Sequence, residues 1–445
     1  MEKTYDYSYR HIWKVAFPIL VSLIMEQLLG MTDTAFLGRV GEIELAASAI
    51  AGVYCLAIFV SGLGFGIGAQ IIIARRNGEG NYTETGNIFW HGVYFLSGLA
   101  IAVIILSELF SPWILGKLIN SDAIAHAAME YVRWRLVGFI FAFITVMFRS
   151  FYIGTTQTRT LTLNSIVMVL SNVFFNWVLV FGKFGFPQLG ITGSAIGTAL
   201  AELVSLIFFI VYTMTKTDCR KYGLDRRIVF RWKKLKDILS ISVWTMVQNF
   251  FSVSTWFIFF LFIEHLGERS LAISNLIRSI SGILWVFVAA FGSTCSSLVS
   301  NLIGEGHQDS VLRLIGKIIR IAYVPVILLA VIIAIFPKAA IGIYTDMPDL
   351  AAASVRSLYV LCFSYLFTCP ALICFNAISG TGNTRTAFGL EMTVLLIYII
   401  FCLTVIMHLK ADVAICWLSE VVYGFSMLLI SGYYLRSGKW KGTAV

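Results

Sequence analysis

Charge is what this chain has least of. Only 13% of its 445 residues are Asp, Glu, Lys or Arg, while 58% are hydrophobic, and the mean hydropathy is +0.85. A soluble globular protein carries roughly 25% charged residues, so the deficit excludes a soluble enzyme of this size. The net charge of +9 does not indicate a nucleic-acid binder, because no basic face alternates with exposed aromatics. No disulfide framework is present either. Cys55, Cys295, Cys362, Cys369, Cys374, Cys402 and Cys416 lie in apolar stretches and read as small buried hydrophobes, and Cys219 lies in a basic loop.

Other signatures are also missing. Every Gly-Lys pair is followed by Leu, Phe, Ile or Trp, so the chain has no P-loop of its own, although a separate ATPase subunit stays open. Gly62, Gly64, Gly66 and Gly68 alternate with no strand ahead of them. That spacing is wrong for a dinucleotide site and suits close helix packing or a kink. His91 and His126 have no partner at metal-ligand spacing and read as interfacial or solvated. Asn81-Tyr82-Thr83 matches a glycosylation sequon but falls on the side read below as cytoplasmic. Residues 1–14 are polar, and the apolar run after them outlasts a signal peptide, so the first segment is expected to be a retained helix. Nothing calls for a cofactor, and the chain does not read as an enzyme.

What the chain does have is a repeat. Gly41-Glu42 and Leu45-Ala46 return as Gly267-Glu268 and Leu271-Ala272. Gly78-Glu79-Gly80 returns as Gly304-Glu305-Gly306, and Thr158-Arg159-Thr160 as Thr384-Arg385-Thr386. The shift is constant (267 − 41 = 304 − 78 = 384 − 158 = 226), which indicates a duplicated unit. A duplicated apolar unit is the usual sign of a membrane transporter with its substrate site between the halves.

A bilayer crossing takes about 20 apolar residues. Such runs fall near 12–37, 46–73, 87–110, 128–154, 161–182 and 191–214, then 237–264, 271–300, 313–336, 355–380, 386–409 and 412–435. The fold class is therefore an all-α polytopic membrane protein. Twelve transmembrane helices form two six-helix lobes related by a parallel repeat: 1–215, a basic linker 216–236, and 237–445. Basic residues concentrate at Lys3, Arg10 and Lys14, at Arg75 and Arg76, in the linker from Lys216 through Arg226 and Arg227 to Lys236, and at Arg436, Lys439 and Lys441. Intervening loops hold few, so both termini and the linker are expected in the cytoplasm.

Acids inside a span cost roughly 2.5–3.5 kcal/mol near a helix centre on insertion scales and persist where they face a cavity or a partner. Asp33 lies late in the first span. Glu26 stands seven residues earlier, two turns away on the same face. Pro18 removes a backbone donor and permits a bend. A bendable helix with two acids on one face suits coupling an ion to a motion. Asn172 and Asn176, one turn apart, and Thr198 could complete a small-cation site of oxygen ligands with Asp33, or they could simply bond between helices. The second half does not copy this set, since Asp33, Glu26, Asn172 and Asn176 map onto Phe259, Ser252, Tyr398 and Cys402. Ion coupling is thus expected mainly in the N-terminal half. Arg278, Glu391, Trp244 and Trp256 are cavity candidates of the C-terminal half, with Arg278 and Glu391 open to a snorkelling role. Glu420 also lies in that half's membrane segments, and Glu202 is the least informative acid. Aromatics on a central cavity would suit flat apolar cations.

Pro18 and Asp33 followed by Thr34-Ala35-Phe36-Leu37-Gly38-Arg39-Val40-Gly41 resemble the MATE family of multidrug and toxic compound extrusion transporters. So do Gly182-Lys183-Phe184-Gly185-Phe186-Pro187 with Gln188-Leu189-Gly190, and Ser379-Gly380-Thr381-Gly382-Asn383-Thr384-Arg385. The resemblance covers the whole chain and is closer to the DinF-like branch. It implies two six-helix lobes in a V and export driven by inward H⁺ or Na⁺. It places Asp33 on the family's N-lobe acid, Asn172 on its fifth-helix asparagine and Thr198 on its sixth-helix threonine. Asn176 falls where many relatives carry aspartate, which weakens a Na⁺ site and favours protons. The NorM-like branch has acids in its seventh and tenth helices. The matching stretches here, Val247-Gln248-Asn249-Phe250-Phe251-Ser252 and Phe367-Thr368-Cys369-Pro370, have none.

The reading is a secondary active exporter of organic cations, a monomeric cation antiporter of a bacterial inner membrane. Asp33 binds the ion, the first helix bends at Pro18, and the cavity collapses to release drug outward. A lipid-linked glycan flippase of similar architecture is the alternative. It should show a cationic cavity for pyrophosphate, and few basic residues are expected at membrane depth. A passive channel or a receptor fits the twelve-span duplication less well.

Overall fold

The computed structural model describes residues 8–119, 121–225, 228–345 and 347–442; Lys3, Arg226 and Arg227 of the charge pattern lie outside them. Twelve helices among the described residues are long and apolar enough to cross a membrane. In the first half they are α1 (Tyr9–Leu37), α2 (Glu42–Gly78), α3 (Tyr82–Leu118), α4 (Asp122–Gly154), α5 (Arg159–Phe181) and α6 (Gly190–Lys216). A short α7 (Cys219–Tyr222) precedes α8 (Trp232–Glu264), α9 (Glu268–Gly304) and α10 (Val311–Ile335). A short α11 (Pro337–Gly342) leads to α12 (Pro348–Gly380) and α13 (Thr384–Cys402), which ends in π-turns over Leu403–His408. The last span is α14 (Val413–Cys416) and α15 (Leu418–Ser437), interrupted at Trp417.

Each of the twelve apolar runs is helical over most of its length, and most of the helices outrun them. α2 and α3 each hold 37 residues, about 55 Å at 1.5 Å per residue, against a hydrocarbon core of about 30 Å. Hydropathy marks only the part that meets lipid. Polar turns such as Arg75 and Arg76 at the end of α2 and Glu84 at the start of α3 stay helical beyond it. Gly80 and Gly306 close the two Gly-Glu-Gly turns with φ of 74° and 84°, a left-handed conformation glycine adopts without a Cβ penalty.

The duplication holds to the residue where packing is tightest. α2 shifted by 226 gives the bounds of α9, and α4 shifted by 226 gives those of α12. Helix pairings repeat as well. α4 packs on α2, α3 and α6, and α5 on α6; α12 packs on α9, α10 and α15, and α13 on α15.

The chain divides into two compact units. One is Val21–Met246; the other joins the residues up to Leu20 to those from Val247 onward. The cuts fall inside α1 and α8, again 226 residues apart (246 − 20). Within Val21–Met246 the segment after α6 is held down. Tyr94 Oη donates to Ile228 O at 3.0 Å, Gln157 Nε2 to Tyr222 Oη at 2.9 Å, and Lys234 pairs with Glu84. His91 is fully buried rather than solvated, and its Nε2 accepts the Arg231 N–H at 3.0 Å. That bond gives one of the unsatisfied donors near the start of α8 a partner.

Candidate functional site

The glycine run in α2 sets the frame of the Val21–Met246 unit. Gly62 and Gly66 face α4, where an added Cβ would lie 2.6 Å from the Phe143 ring and 2.3 Å from Val146. Gly64 and Gly68 face the start of α8, where the Cα atoms of Met246 and Ser242 would each be 2.5 Å away. Two i,i+4 pairs on two sides of one helix let both neighbours approach at backbone distance. Ser150 Oγ and Thr245 Oγ1 then donate to the Gly66 and Gly64 carbonyls at 2.8 and 2.6 Å.

Asp33 sits near the end of α1 against α5 and α6. Asn172 and Asn176, one turn apart on α5, both donate to Asp33 Oδ1, at 3.1 and 2.6 Å. Thr198 of α6 lies 3.2 Å from Oδ2. Asn172 Nδ2 also reaches Thr198 Oγ1 at 3.1 Å, and Asn176 Nδ2 reaches Asn172 Oδ1 at 3.2 Å. The two asparagines and the threonine are buried. Thr198 has one hydroxyl proton but two acceptors in reach, Asp33 Oδ2 and the Ser194 carbonyl at 3.0 Å. When the Thr198 proton goes to Ser194, Oδ2 loses a donor, and a proton on Asp33 itself restores the bond. The amide N–H groups turned to Asp33 suit an anion. A sodium ion would need the amide oxygens there instead, and Asn176 Oδ1 is a buried acceptor without a partner.

Glu26 does not join Asp33. It pairs with Arg149 on the wall of a separate cavity of about 160 Å³. Ser22, Arg135, Asn164 and Glu202 line the same space. Arg135 Nη1 lies 2.8 Å from Glu202 Oε1, with the two side chains 19% and 5% exposed. Asn164 and Ser205 exchange hydrogen bonds at 2.9 and 3.0 Å. Drug-sized ligands need pockets of roughly 300 Å³ or more, so in this state the cavity is sized for waters or a small polar group. Arg135 and Arg149 are not among the residues singled out from the sequence, where Arg278 is the one arginine weighed at membrane depth and Glu202 is the least informative acid. Each arginine falls within an apolar run, and that was the available signal.

The other named residues are dispersed. Pro18 lies within an unbroken α1, two residues before the divide at Leu20. Arg278 is exposed on α9, with its guanidinium 5.7 Å from the Phe260 ring. Trp256 is exposed and meets Phe260 edge-on at 4.9 Å, while Trp244 is partly buried; neither lines the cavity. Glu391 is buried and accepts from Ser252 Oγ. All seven cysteines of the apolar stretches are buried and unpaired, and Cys219 is half-buried. No group of three or more His, Cys, Asp or Glu among the described residues could hold a metal ion.

Comparison with known proteins agrees with this architecture. The chain is 23% identical to the probable multidrug resistance protein NorM of Thermotoga maritima, over 98% of this chain and 94% of that protein. Its fold is similar to a MOP superfamily transporter from Pyrococcus furiosus, with a TM-score of 0.87 at 17% identity over 98% and 97% of the two chains. It is also similar to the eukaryotic MATE transporter AtDTX14, with a TM-score of 0.83 at 16% identity over 97% and 96%. The MatE family model matches twice, at 18–178 and 245–404, with starts 227 and ends 226 residues apart, so both copies of the duplicated unit are recognised and the chain belongs to the MatE family of membrane transporters.

Proposed function

We propose that this transporter is a secondary active exporter of multiple small organic cations, driven by proton influx through Asp33. The observation that carries the reading is the Asp33 cluster. A carboxyl group at the end of a membrane helix meets two amides and a hydroxyl, and the hydroxyl proton has two acceptors to choose between. A proton arriving on Asp33 rearranges those bonds. That gives the ion differential contacts in two states, as coupling requires. Protons are favoured over Na⁺ because Asn176 adds no second negative charge and the amides present nitrogen to Asp33. Pro18, beside the divide within α1, is the proposed bend. The multidrug substrate class rests on the relative named NorM. The proposed setting is a bacterial inner membrane, with both termini in the cytoplasm and the protein working as a monomer. Arg135 and Arg149 are tied to Glu202 and Glu26. They offer no free cationic surface for a lipid pyrophosphate, which weighs against a flippase.

The test is reconstitution in liposomes with a fluorescent organic cation, imposing ΔpH and ΔNa⁺ separately, with Asp33→Asn in parallel. Flux driven by ΔpH and reduced to background in the variant is the expected result. Wild-type flux in Asp33→Asn would end the mechanism. Flux driven only by ΔNa⁺ would mean that Asn172, Asn176 and Thr198 turn their oxygens to a cation.

A further inference from the structure

The 226-residue shift leads to a second buried carboxyl group in the unit that lacks Asp33. Ser22, Glu26 and Ser165 map onto Gln248, Ser252 and Glu391. In the first copy, Ser22 and Ser165 bridge α1 and α5 through their hydroxyls at 2.7 Å, and Glu26 on α1 pairs with Arg149. In the second copy, Glu391 on α13 is joined to α8 by Ser252, the counterpart of Glu26, and faces Gln248, the counterpart of Ser22. The acid has moved from the first helix of the pair to the second, and the serine has moved the other way. The arginines have not followed, since Arg149 and Arg135 map onto Phe375 and Leu361.

Glu391 is 3% exposed and Gln248 is 9% exposed. Gln248 of α8 and Tyr423 of α15 face the carboxyl group along with Ser252. Oε2 of Glu391 has no hydrogen-bond partner, and neither has Oε1 of Gln248. Both are acceptors when Glu391 is ionised, so Oε2 lacks a donor although Ser252, Tyr423 and Gln248 all present polar groups to the carboxyl. Tyr423 also faces Glu420 on α15, whose own titratable neighbours are Tyr398 and Cys402 on α13 and Tyr365 on α12. Tyr398 Oη donates to Glu420 Oε1 at 3.2 Å. No lysine, arginine or histidine pairs with Glu391 or Glu420 among the described residues. An isolated buried carboxylate is expensive and is usually relieved by neutralisation. A proton on Oε2 removes the charge and turns that unpartnered oxygen into a donor.

We propose that Glu391 is a second proton-binding site of this transporter, independent of Asp33 and held by Ser252, Gln248 and Tyr423. The site goes beyond the Asp33 reading, because it occupies the other unit and uses none of the same residues. Infrared difference spectroscopy of the purified full chain, recorded between acid and alkaline pH, tests it. The carboxylic acid carbonyl band of Glu391 is expected to disappear with pH in the wild type and in Asp33→Asn, and to be lost from the spectrum of Glu391→Gln. Ser252→Ala, which keeps the acid, should retain the band with a shifted midpoint and so separates titration from misfolding. An unchanged spectrum in Glu391→Gln would overturn the proposal. So would a band that Na⁺ abolishes at constant pH, since the site would then bind sodium. Failure of the Asp33 mechanism would appear instead as a missing Asp33→Asn difference, with the Glu391 band intact.

Discussion

The two units solve the same problem in different ways. Each keeps a carboxyl group inside a bundle of helices. Around Asp33 the unit supplies two amide donors and a hydroxyl, and the neighbouring cavity supplies arginines for Glu202 and Glu26. Around Glu391 the other unit supplies Ser252, Gln248 and Tyr423 but no arginine, and leaves Oε2 unmatched. Duplication has preserved helix bounds and helix pairings while the charges have drifted. Backbone geometry is fixed by many small contacts at once, but a charge needs only one suitable neighbour and can change helices with it.

The largest way to break this contrast is to give the first unit the second unit's residues. Arg135 and Glu202 map onto Leu361 and Leu428. Arg135→Leu alone strands a buried acid, and the expected cost is about 3–5 kcal/mol, read as unfolding in detergent. Arg135→Leu with Glu202→Leu should recover most of that loss; a double variant as unstable as the single would mean that the pair is not what holds the region. Next comes Gly68→Thr, which copies Thr294. Its Cβ would meet the Ser242 backbone at 2.5 Å, and overpacking costs about 1–3 kcal/mol. The same unfolding assay should show it, whereas Gly52→Ala, where an added Cβ meets nothing within 4 Å, should stay near wild type. Arg149→Leu should cost less, about 1 kcal/mol or below, because Glu26 is 39% exposed and solvent takes over much of the pairing.

The smallest effect concerns the segment joining the halves. Burial, then Asp225 and Asp218, push the Cys219 thiol above its ordinary value. The thiolate is the reactive form, so impermeant maleimide should label Cys219 slowly at neutral pH and faster as pH rises. Labelling only from the cytoplasmic side sharpens the proposed orientation; labelling only from outside reverses it.

Much of this was legible in the sequence. The constant shift and the apolar runs gave twelve spans, because hydropathy and length are properties of single segments. Asp33, Asn172, Asn176 and Thr198 could be named as candidates, since polar groups in a span have few places to go. Glu26 shares the face of Asp33 but lies seven residues, about 10 Å, back along α1. What each meets therefore depends on the neighbouring helices at its own level, α5 and α6 for Asp33 and Arg149 of α4 for Glu26. Helical spacing within α1 cannot report that. The move of the acid from Glu26 to Glu391 was hidden for a related reason. Comparing equivalent positions one at a time finds a serine in place of each acid, and only the packed helix pair shows the exchange.

The divisions of α1 and α8 carry a consequence for synthesis. A ribosome that has reached Lys216 has completed six spans, yet Val21–Met246 still lacks the α8 residues through Met246. The residues up to Leu20, made first, belong with a unit whose remainder begins only at Val247. Neither compact unit is a continuous product of translation cut at the connecting segment. Assembly must therefore wait on the far side of that segment before either unit is whole.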